Sequence, residues 1–139
     1  MTIAEIQQEI VDDYALFDDE MDRYEYLIDE GKKLAELPEA YRLDKNLVQG
    51  CTSKVWLHGE QKDGKMFYYA DSNTAITKGI VALLLRVANA QSPSTVANLQ
   101  FEFIEKSGLK EHLSSQRSNG LLSMIQQLKK IAKENNLPL

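Results

Sequence analysis

The chain has 139 residues, of which 43% are hydrophobic and 27% are charged. This balance, with a single cysteine, excludes an intrinsically disordered chain, a collagen-like repeat and a disulfide scaffold. The 21 acidic and 16 basic side chains give a net charge of −5, which makes a nucleic-acid-binding protein a poor interpretation. The length predicts a single domain over residues 1–139.

The sequence also argues against export and membrane insertion. No apolar run approaches the ~20 residues that span a bilayer. The first ten residues contain no basic region followed by an apolar stretch, so they do not resemble a secretory signal. One cysteine cannot form an internal disulfide, which suits a reducing compartment. We therefore expect a cytoplasmic protein.

Charge is distributed unevenly along the chain. Residues 1–30 contain 11 acidic side chains and one basic side chain, a local net charge of −10, whereas the remainder carries +5. Charge runs are usually solvent-exposed faces, and we favour that interpretation here. A docking surface for a basic partner is the alternative, and both stay open.

The N-terminal part predicts two helices. Thr2 and Glu5 have the spacing of a capping box, and apolar residues follow at helical period as far as Tyr14. A second helix is predicted from near Asp18 to Leu37, where the following proline ends it.

A hairpin is predicted in the middle of the chain. The pair Asp63–Gly64 favours a two-residue type I′ turn, and residues 55–57 and 67–69 are strand formers. Such a turn places His58 opposite Tyr69. Both alternating sets of residues contain large apolar groups, so the sequence does not decide which face of the hairpin meets the core.

A strong helix is predicted after the hairpin, with Ser72 or Asn73 as its cap. It carries a small-residue stripe that permits close approach of a neighbouring segment or could line a pocket. The apolar stripe consists of Ile76, Ile80, Leu83, Leu84 and Val87, and the small one of Ala75, Gly79 and Ala82.

Three further helices complete the predicted order. One begins at Ser92–Pro93, a short one covers residues 103–106, and the last is capped by Ser114 or Ser115. The predicted core positions of the last helix are Leu121, Leu122, Ile125, Leu128 and Ile131. Helices, a small antiparallel sheet and helices again indicate an α+β fold.

Cys51 is the single thiol, in the sequence LVQGCTSKVW. A buried cysteine that acts as a small hydrophobic residue is the commoner role. The flanking residues are polar or small, which suits a loop that enters the sheet, and Gly50 frees the backbone just before the thiol. The local pattern leaves a reactive and an inert cysteine equally open.

Other kinds of site find little support in the sequence. His58 and His112 are separated from Cys51 along the chain, so neither is an evident base for a cysteine hydrolase. One cysteine and two separated histidines make a poor zinc set, and no phosphate-binding glycine motif occurs. We predict no metal and no cofactor.

Two cations are candidates for an anionic sulfur species. Arg117 lies at the start of the last helix, and a guanidinium next to a thiol lowers the pKa of that thiol. Lys78 has the same possible role. A surface charge is the commoner role for each of them.

Three segments together resemble the SufE family of sulfur acceptors. They are VQGCTSKVW at 48–56, ADSNTAITKGIVALLL at 70–85 and HLSSQRSNGL at 112–121, and DRYEYLIDEGKKLAELPE at 22–39 is similar to an early helix and turn of that family. The ordered combination of GC-x-S-x-VW, D-S-x-x-A-x-x-KG and HL-x-x-x-RS-x-G is specific. The resemblance extends over roughly residues 15–133.

The resemblance implies a fold similar to the IscU-type scaffold proteins. It also implies that Cys51 takes sulfane sulfur from a cysteine desulfurase of the SufS or CsdA type, stimulates that enzyme, and delivers the sulfur to an iron–sulfur scaffold of the SufBCD type. Arg117 is then a possible anion stabiliser. The loop or partner-binding residues are Gln49, Gly50, Ser53, Lys78 and Gly79.

Three hypotheses follow from different classes of protein. The first is a sulfur-transfer accessory protein that forms a cysteine persulfide, rather than a stand-alone enzyme. The second is a non-catalytic adaptor that binds and regulates a desulfurase. The third is a cysteine hydrolase.

Overall fold

The computed structural model describes residues 1–136. Six α-helices and one two-stranded antiparallel sheet are found in this part of the chain. The α+β fold predicted from the sequence is thus confirmed. In chain order the elements are α1 (Ile3–Tyr14), α2 (Glu20–Lys32), β1 (Val55–Lys62), β2 (Lys65–Ser72), α3 (Ala75–Ala88), α4 (Pro93–Ala97), α5 (Phe103–Lys106) and α6 (Ser115–Glu134).

Local sequence signals set most of the helix starts. Thr2 and Glu5 form the predicted capping box at α1. Ser92 and Ser114 cap α4 and α6 through their side chains. α2 ends at Lys32, five residues before the predicted position, because the chain then turns to bury Leu37, which is 3% exposed.

The hairpin has the predicted turn and register. Asp63 and Gly64 both have positive φ, 53° and 79°, as a type I′ turn requires. His58 pairs with Tyr69, as predicted. The inner face, left open by the sequence, is now defined: it carries Val55, Leu57, Met66, Tyr68 and Ala70, all of which are buried.

The core lies between this inner face, α3 and α6. α3 is buried on most of its sides. Its N-cap is Thr74 rather than Ser72 or Asn73, although the Thr74 amide donates a hydrogen bond to the Ser72 hydroxyl at 3.3 Å. On α6 the prediction for Leu122 is wrong, since its side chain is 49% exposed and Met124 is buried in the core instead.

The small-residue stripe of α3 forms a helix crossing. A methyl group added to Gly79 would overlap the carbonyl oxygen of Leu27, and one added to Gly31 would lie 3.0 Å from the Gly79 amide nitrogen. The two backbones are thus in direct contact where α2 meets α3. Only glycine allows this approach, so Gly79 is a packing position.

An ion cluster around the buried Glu30 ties the first three helices together. Glu30 on α2 is 4% exposed and accepts a hydrogen bond from Arg86 on α3 at 2.7 Å. Arg86 also pairs with Glu9 on α1, and Lys33 lies 2.6 Å from Glu30. Part of the acidic N-terminal segment therefore faces inward, as the counter-charge of one arginine.

Candidate functional site

The site is built on the segment that links Leu47 to Val55. Leu47 forms an isolated bridge with Trp56, and the Val48 amide donates to the Val55 carbonyl at 2.8 Å. The chain therefore leaves the sheet edge at Val48 and returns to it at Val55. Cys51 lies at the middle of this excursion.

Gly50 shapes the turn that directs the thiol inward. Its φ is +88°, and a methyl group there would lie 2.6 Å from the Ser123 hydroxyl of α6. Both the left-handed backbone and the lack of space favour glycine at this position. The turn brings the next residue, Cys51, against α6.

The Cys51 side chain is half-buried between α3 and α6. Its S–H donates to the Gly120 carbonyl at 3.6 Å, and a methyl group on Gly120 would lie 3.4 Å from the sulfur. The adjoining cavity has a volume of about 10 Å³, roughly the space that one water molecule needs. Its walls are formed by Cys51, Thr52, Ser53, Thr77, Ile80, Gln116, Arg117, Gly120 and Met124.

Burial raises the pKa of the Cys51 thiol above its ordinary value, because a low-dielectric environment disfavours the thiolate. Burial of this thiol was not evident from the sequence, and a lowering of its pKa by Arg117 stays a prediction. A thiol of this kind is protected in the resting protein and reacts slowly with small electrophiles in water.

Arg117 lines the cavity beside Cys51, and its guanidinium also lies near α2. The guanidinium carbon lies 6.0 Å from the centre of the Tyr24 ring, in a cation–π arrangement. Tyr24 in turn donates a hydrogen bond to Glu20 at 2.8 Å. The side chain is therefore near the thiol and held by α2, and its role toward sulfur stays a prediction.

The other predicted site residues are distributed over two places. Ser53 lies in the cavity wall, whereas Gln49 is exposed and does not line the cavity. Lys78 is not among the residues that line the cavity. It pairs with Asp71 at 3.3 Å, beside the Arg42–Asp71 pair at 2.8 Å.

Neither histidine lines the cavity beside the thiol. His112 shares a hydrogen bond with the Tyr14 hydroxyl at 3.0 Å, and His58 stacks on the Tyr41 ring at 3.8 Å between centroids. A cysteine hydrolase needs a base next to its nucleophile, and no such base borders this cavity in residues 1–136. Within the same residues no cluster of potential metal ligands occurs, and no helix is long and apolar enough to cross a membrane.

Sequence reasoning missed five cavity residues that lie within the motif segments. They are Thr52 from the segment 48–56, Thr77 and Ile80 from 70–85, and Gln116 and Gly120 from 112–121. Three segments distant in sequence thus meet at one thiol. Their membership in shared motifs was the signal that could have identified them.

Comparison with known proteins identifies the family. A family model described as "SufE: Fe-S metabolism associated domain" matches residues 8–132. The chain belongs to the SufE family. Its role therefore lies in iron–sulfur metabolism. Its partners are proteins of that metabolism, such as desulfurases.

Similar proteins support this assignment of the SufE-family chain. A SufE-like protein of Rhizobium meliloti is 42% identical over 135 residues, which cover 94% of this chain and 96% of that protein. A SufE-like protein of Synechocystis is 36% identical and covers 86% of this chain and 75% of its own length. The chloroplastic/mitochondrial SufE-like protein 1 of Arabidopsis thaliana is 32% identical over 90% of this chain, which spans 34% of the plant protein.

A solved structure shares the fold. The solution structure of a hypothetical protein from Thermus thermophilus matches with a TM-score of 0.77 at 20% identity, and the match covers 94% of this chain and 95% of that one. At this identity the similarity concerns the architecture alone.

Proposed function

We propose that this chain is a sulfur acceptor and carrier that holds sulfur on Cys51. The observation that carries the proposal is the meeting of all three motif segments at this thiol, beside a cavity of about 10 Å³. The enclosed space beside the sulfur is about that of one water molecule, which is compatible with one additional sulfur atom. The proposed substrate is a single sulfur carried on another protein, in keeping with the SufE family.

The transfer is a thiolate exchange that needs no oxidant. Cys51 loses its proton and attacks the outer sulfur of a persulfide on a cysteine desulfurase. A new S–S bond forms at Cys51, the S–S bond of the donor breaks, and the donor cysteine leaves as a thiolate that takes up the proton. Removal of its sulfur frees the desulfurase for another turnover, which is how the carrier stimulates it.

Several features of this chain serve that step. The raised pKa of Cys51 keeps the thiol protonated at rest, so it gains reactivity when it leaves the cavity for the partner's active site. With no second cysteine in the sequence, a loaded Cys51 cannot be cleared by an internal disulfide. A persistent reduced thiol also requires a reducing compartment, in keeping with a cytoplasmic protein.

Arg117 has a proposed part in the loaded state. Its side chain lines the cavity that an outer sulfur would enter, and a guanidinium favours an anionic persulfide over a neutral one. The chain itself needs no cofactor for the exchange, since pyridoxal phosphate belongs to the desulfurase. An iron–sulfur scaffold is the proposed final acceptor.

The proposal is tested by intact mass spectrometry after incubation with a cysteine desulfurase and L-cysteine. Native protein should gain about 32 Da, one sulfur atom, and dithiothreitol should remove the gain. Cys51→Ser should gain nothing. If that variant still stimulates the desulfurase to the native extent, the chain is an adaptor in which the thiol is incidental, and the carrier proposal is wrong.

A further inference from the structure

The Cys51 segment is held by hydrogen bonds on both sides of the thiol. Before the thiol, the Val48–Val55 hydrogen bond fixes the chain to the sheet. After the thiol, Lys54 exchanges two hydrogen bonds with Asn73, at 3.0 and 3.2 Å. Residues 49–53 span the distance between these two anchors.

Within this span, Ser53 is held by two hydroxyl groups of the α3 start. Thr74 donates to the Ser53 hydroxyl oxygen at 3.0 Å, and Thr77 donates to the same oxygen at 3.5 Å. Ser53 lies two residues after Cys51, and both Ser53 and Thr77 belong to the cavity wall. The three residues 53, 74 and 77 form what we call the hydroxyl cluster.

Thr77 is unusual for its place in the molecule. It is 5% exposed and lies on the buried side of α3, where its neighbour in the cavity wall is Ile80. A buried hydroxyl costs free energy unless it is hydrogen-bonded, and packing alone would favour valine, which has the same shape. The hydroxyl's bond to Ser53 supplies a reason for threonine at this position.

We propose that Thr77 and Thr74 are positioning residues which, through Ser53, set how often the Cys51 segment opens. This inference rests on the proposed function for its purpose, since a carrier must both shelter and present its sulfur. With Ser53 attached, the stretch between the attachment points has four residues. With Ser53 released, a fifth joins them and adds up to ~3.5 Å of reach. The hydroxyl cluster thus holds the Cys51 segment closed until its hydrogen bonds to Ser53 break.

The test measures the rate at which iodoacetamide alkylates Cys51 in the full chain, without any sulfur donor. Thr77→Val keeps the shape and removes the hydroxyl, and should react about twofold faster. This is less than the ~fivefold that one full net hydrogen bond supplies, because the Thr77–Ser53 contact is 3.5 Å long. Thr77→Ser restores the hydroxyl and should return the rate toward the native value. Thr95→Val is the matched control, because it removes a hydroxyl bonded to Ser92 at 2.8 Å on α4.

The pH dependence separates positioning from an effect on the thiol itself. A looser segment opens more often at every pH, so the rate should rise by one constant factor without a shift of the profile. A Thr77→Val rate equal to native would overturn the proposal. A Thr77→Ser rate as fast as that of Thr77→Val would also overturn the proposal. Thr77→Ser keeps the hydroxyl, so its missing methyl group or a general loosening of the segment would then explain the faster reaction.

If Thr77→Val lowers the thermal midpoint, faster alkylation in that variant no longer distinguishes local opening from general destabilisation. Ser53→Ala is then the deciding variant. This variant removes the acceptor of both threonines without touching α3, and should accelerate alkylation more than Thr77→Val does. An alkylation rate in Ser53→Ala equal to that of the native chain would refute the proposed role of the hydroxyl cluster. Failure of sulfur loading on native protein would instead refute the proposed function, and the alkylation rates would still report on the hydroxyl cluster.

Discussion

The crossing of α2 and α3 and the segment around Cys51 are both built around glycine, yet they are held in different ways. At the crossing, Gly31 and Gly79 bring two helix backbones into contact, and the ion pair between Arg86 and the buried Glu30 lies on the same pair of helices. At the thiol, Gly50 and Gly120 leave a small cavity, and the contacts are single hydrogen bonds between uncharged groups.

In this comparison the crossing of α2 and α3 is the rigid frame, and the Cys51 segment is the part that we expect to move. Backbone contact and buried charge are costly to break, whereas each neutral hydrogen bond contributes only about 1 kcal/mol. A carrier needs a frame that keeps the cavity intact and a segment that leaves it at low cost. The contrast can be tested by making comparable changes in the two regions.

The largest effect is expected from Gly79→Ala at the crossing. The added methyl group overlaps the Leu27 carbonyl, so the two helices must separate. Because backbone cannot yield as a flexible side chain does, we expect a loss of at least about 3 kcal/mol in the free energy of unfolding. Urea denaturation monitored by circular dichroism measures it. A loss below about 1 kcal/mol would show that the crossing is not tightly fixed.

Arg86→Met should have the next largest effect. It leaves Glu30, which is 4% exposed, without its main partner, although Lys33 still lies 2.6 Å away. We expect a loss of about 2–3 kcal/mol in unfolding free energy, toward the low end for a broken buried pair. Lys106→Met is the control, since its pair with Glu102 is exposed on both sides and should contribute less than about 0.5 kcal/mol. Equal losses in the two variants would refute the frame role of the ion cluster.

Hydrogen exchange should distinguish the segment from the hairpin in the native chain. The amides of residues 55–57 lie within β1, whose ladder runs from Val55 to Lys62. Those of residues 50–52 lie in the span outside it. We expect exchange at least about tenfold faster in the span, because local opening there breaks few contacts. Matching protection in both stretches would contradict a movable segment.

The pH dependence of Cys51 should reveal its burial. Since burial raises the pKa of the thiol, the alkylation profile should have its midpoint above the ~8.5 of an ordinary cysteine. The fold favours the protonated thiol, so this contribution to stability is present below pH ~8.5 and is lost as the pH rises through the raised pKa.

Cys51→Ser is the control for that linkage. Its thermal midpoint should fall less than that of the native chain between pH 8 and 10, because it has no thiol to ionise. A native alkylation midpoint at or below the ordinary cysteine value would instead mean that a cation such as Arg117 governs the thiol.

The smallest effect on stability is expected from Gly120→Ala, the counterpart of Gly79→Ala. Here the methyl group would make an ordinary contact, 3.4 Å from the Cys51 sulfur, and alanine favours a helix interior over glycine by ~1 kcal/mol. Stability should therefore change by less than about 1 kcal/mol, while alkylation slows about twofold as the approach to the sulfur narrows. Gln126→Ala on the exposed side of α6 controls for helix propensity. A loss comparable to that of Gly79→Ala would remove the distinction between the two regions.

Several parts of the fold could be predicted because local chemistry decides them. The capping box at Thr2, the type I′ turn at Asp63–Gly64 and the cap at Ser114 depend on residues within a few positions of one another. The errors arose where distant contacts compete with local preference. Leu122 fits the helical period, but in the folded chain it lies outside the core.

In the candidate site, too, local motifs allowed some residues to be predicted, whereas distant contacts decided the others. The motif segments singled out Cys51, Gly50 and Ser53, and the structure places these residues at one cavity or its entrance turn. The effect of Arg117 on the thiol pKa stays a prediction. The sequence revealed neither the burial that raises this pKa nor the position of the guanidinium over the Tyr24 ring. Lys78 faces Asp71, which lies on the neighbouring strand.

By itself the sequence determined the order of the elements, the α+β class, the hairpin register and the resemblance to the SufE family, since all of these follow from patterns along the chain. Only the tertiary structure decided which face of the hairpin is buried, that Gly79 serves a helix crossing, and that Thr77 and Gly120 border the thiol. The physical reason is that burial and hydroxyl pairing depend on the meeting of α3 with α6 and the Cys51 segment. No local pattern specifies the distance between residues that are separated by many positions in the chain.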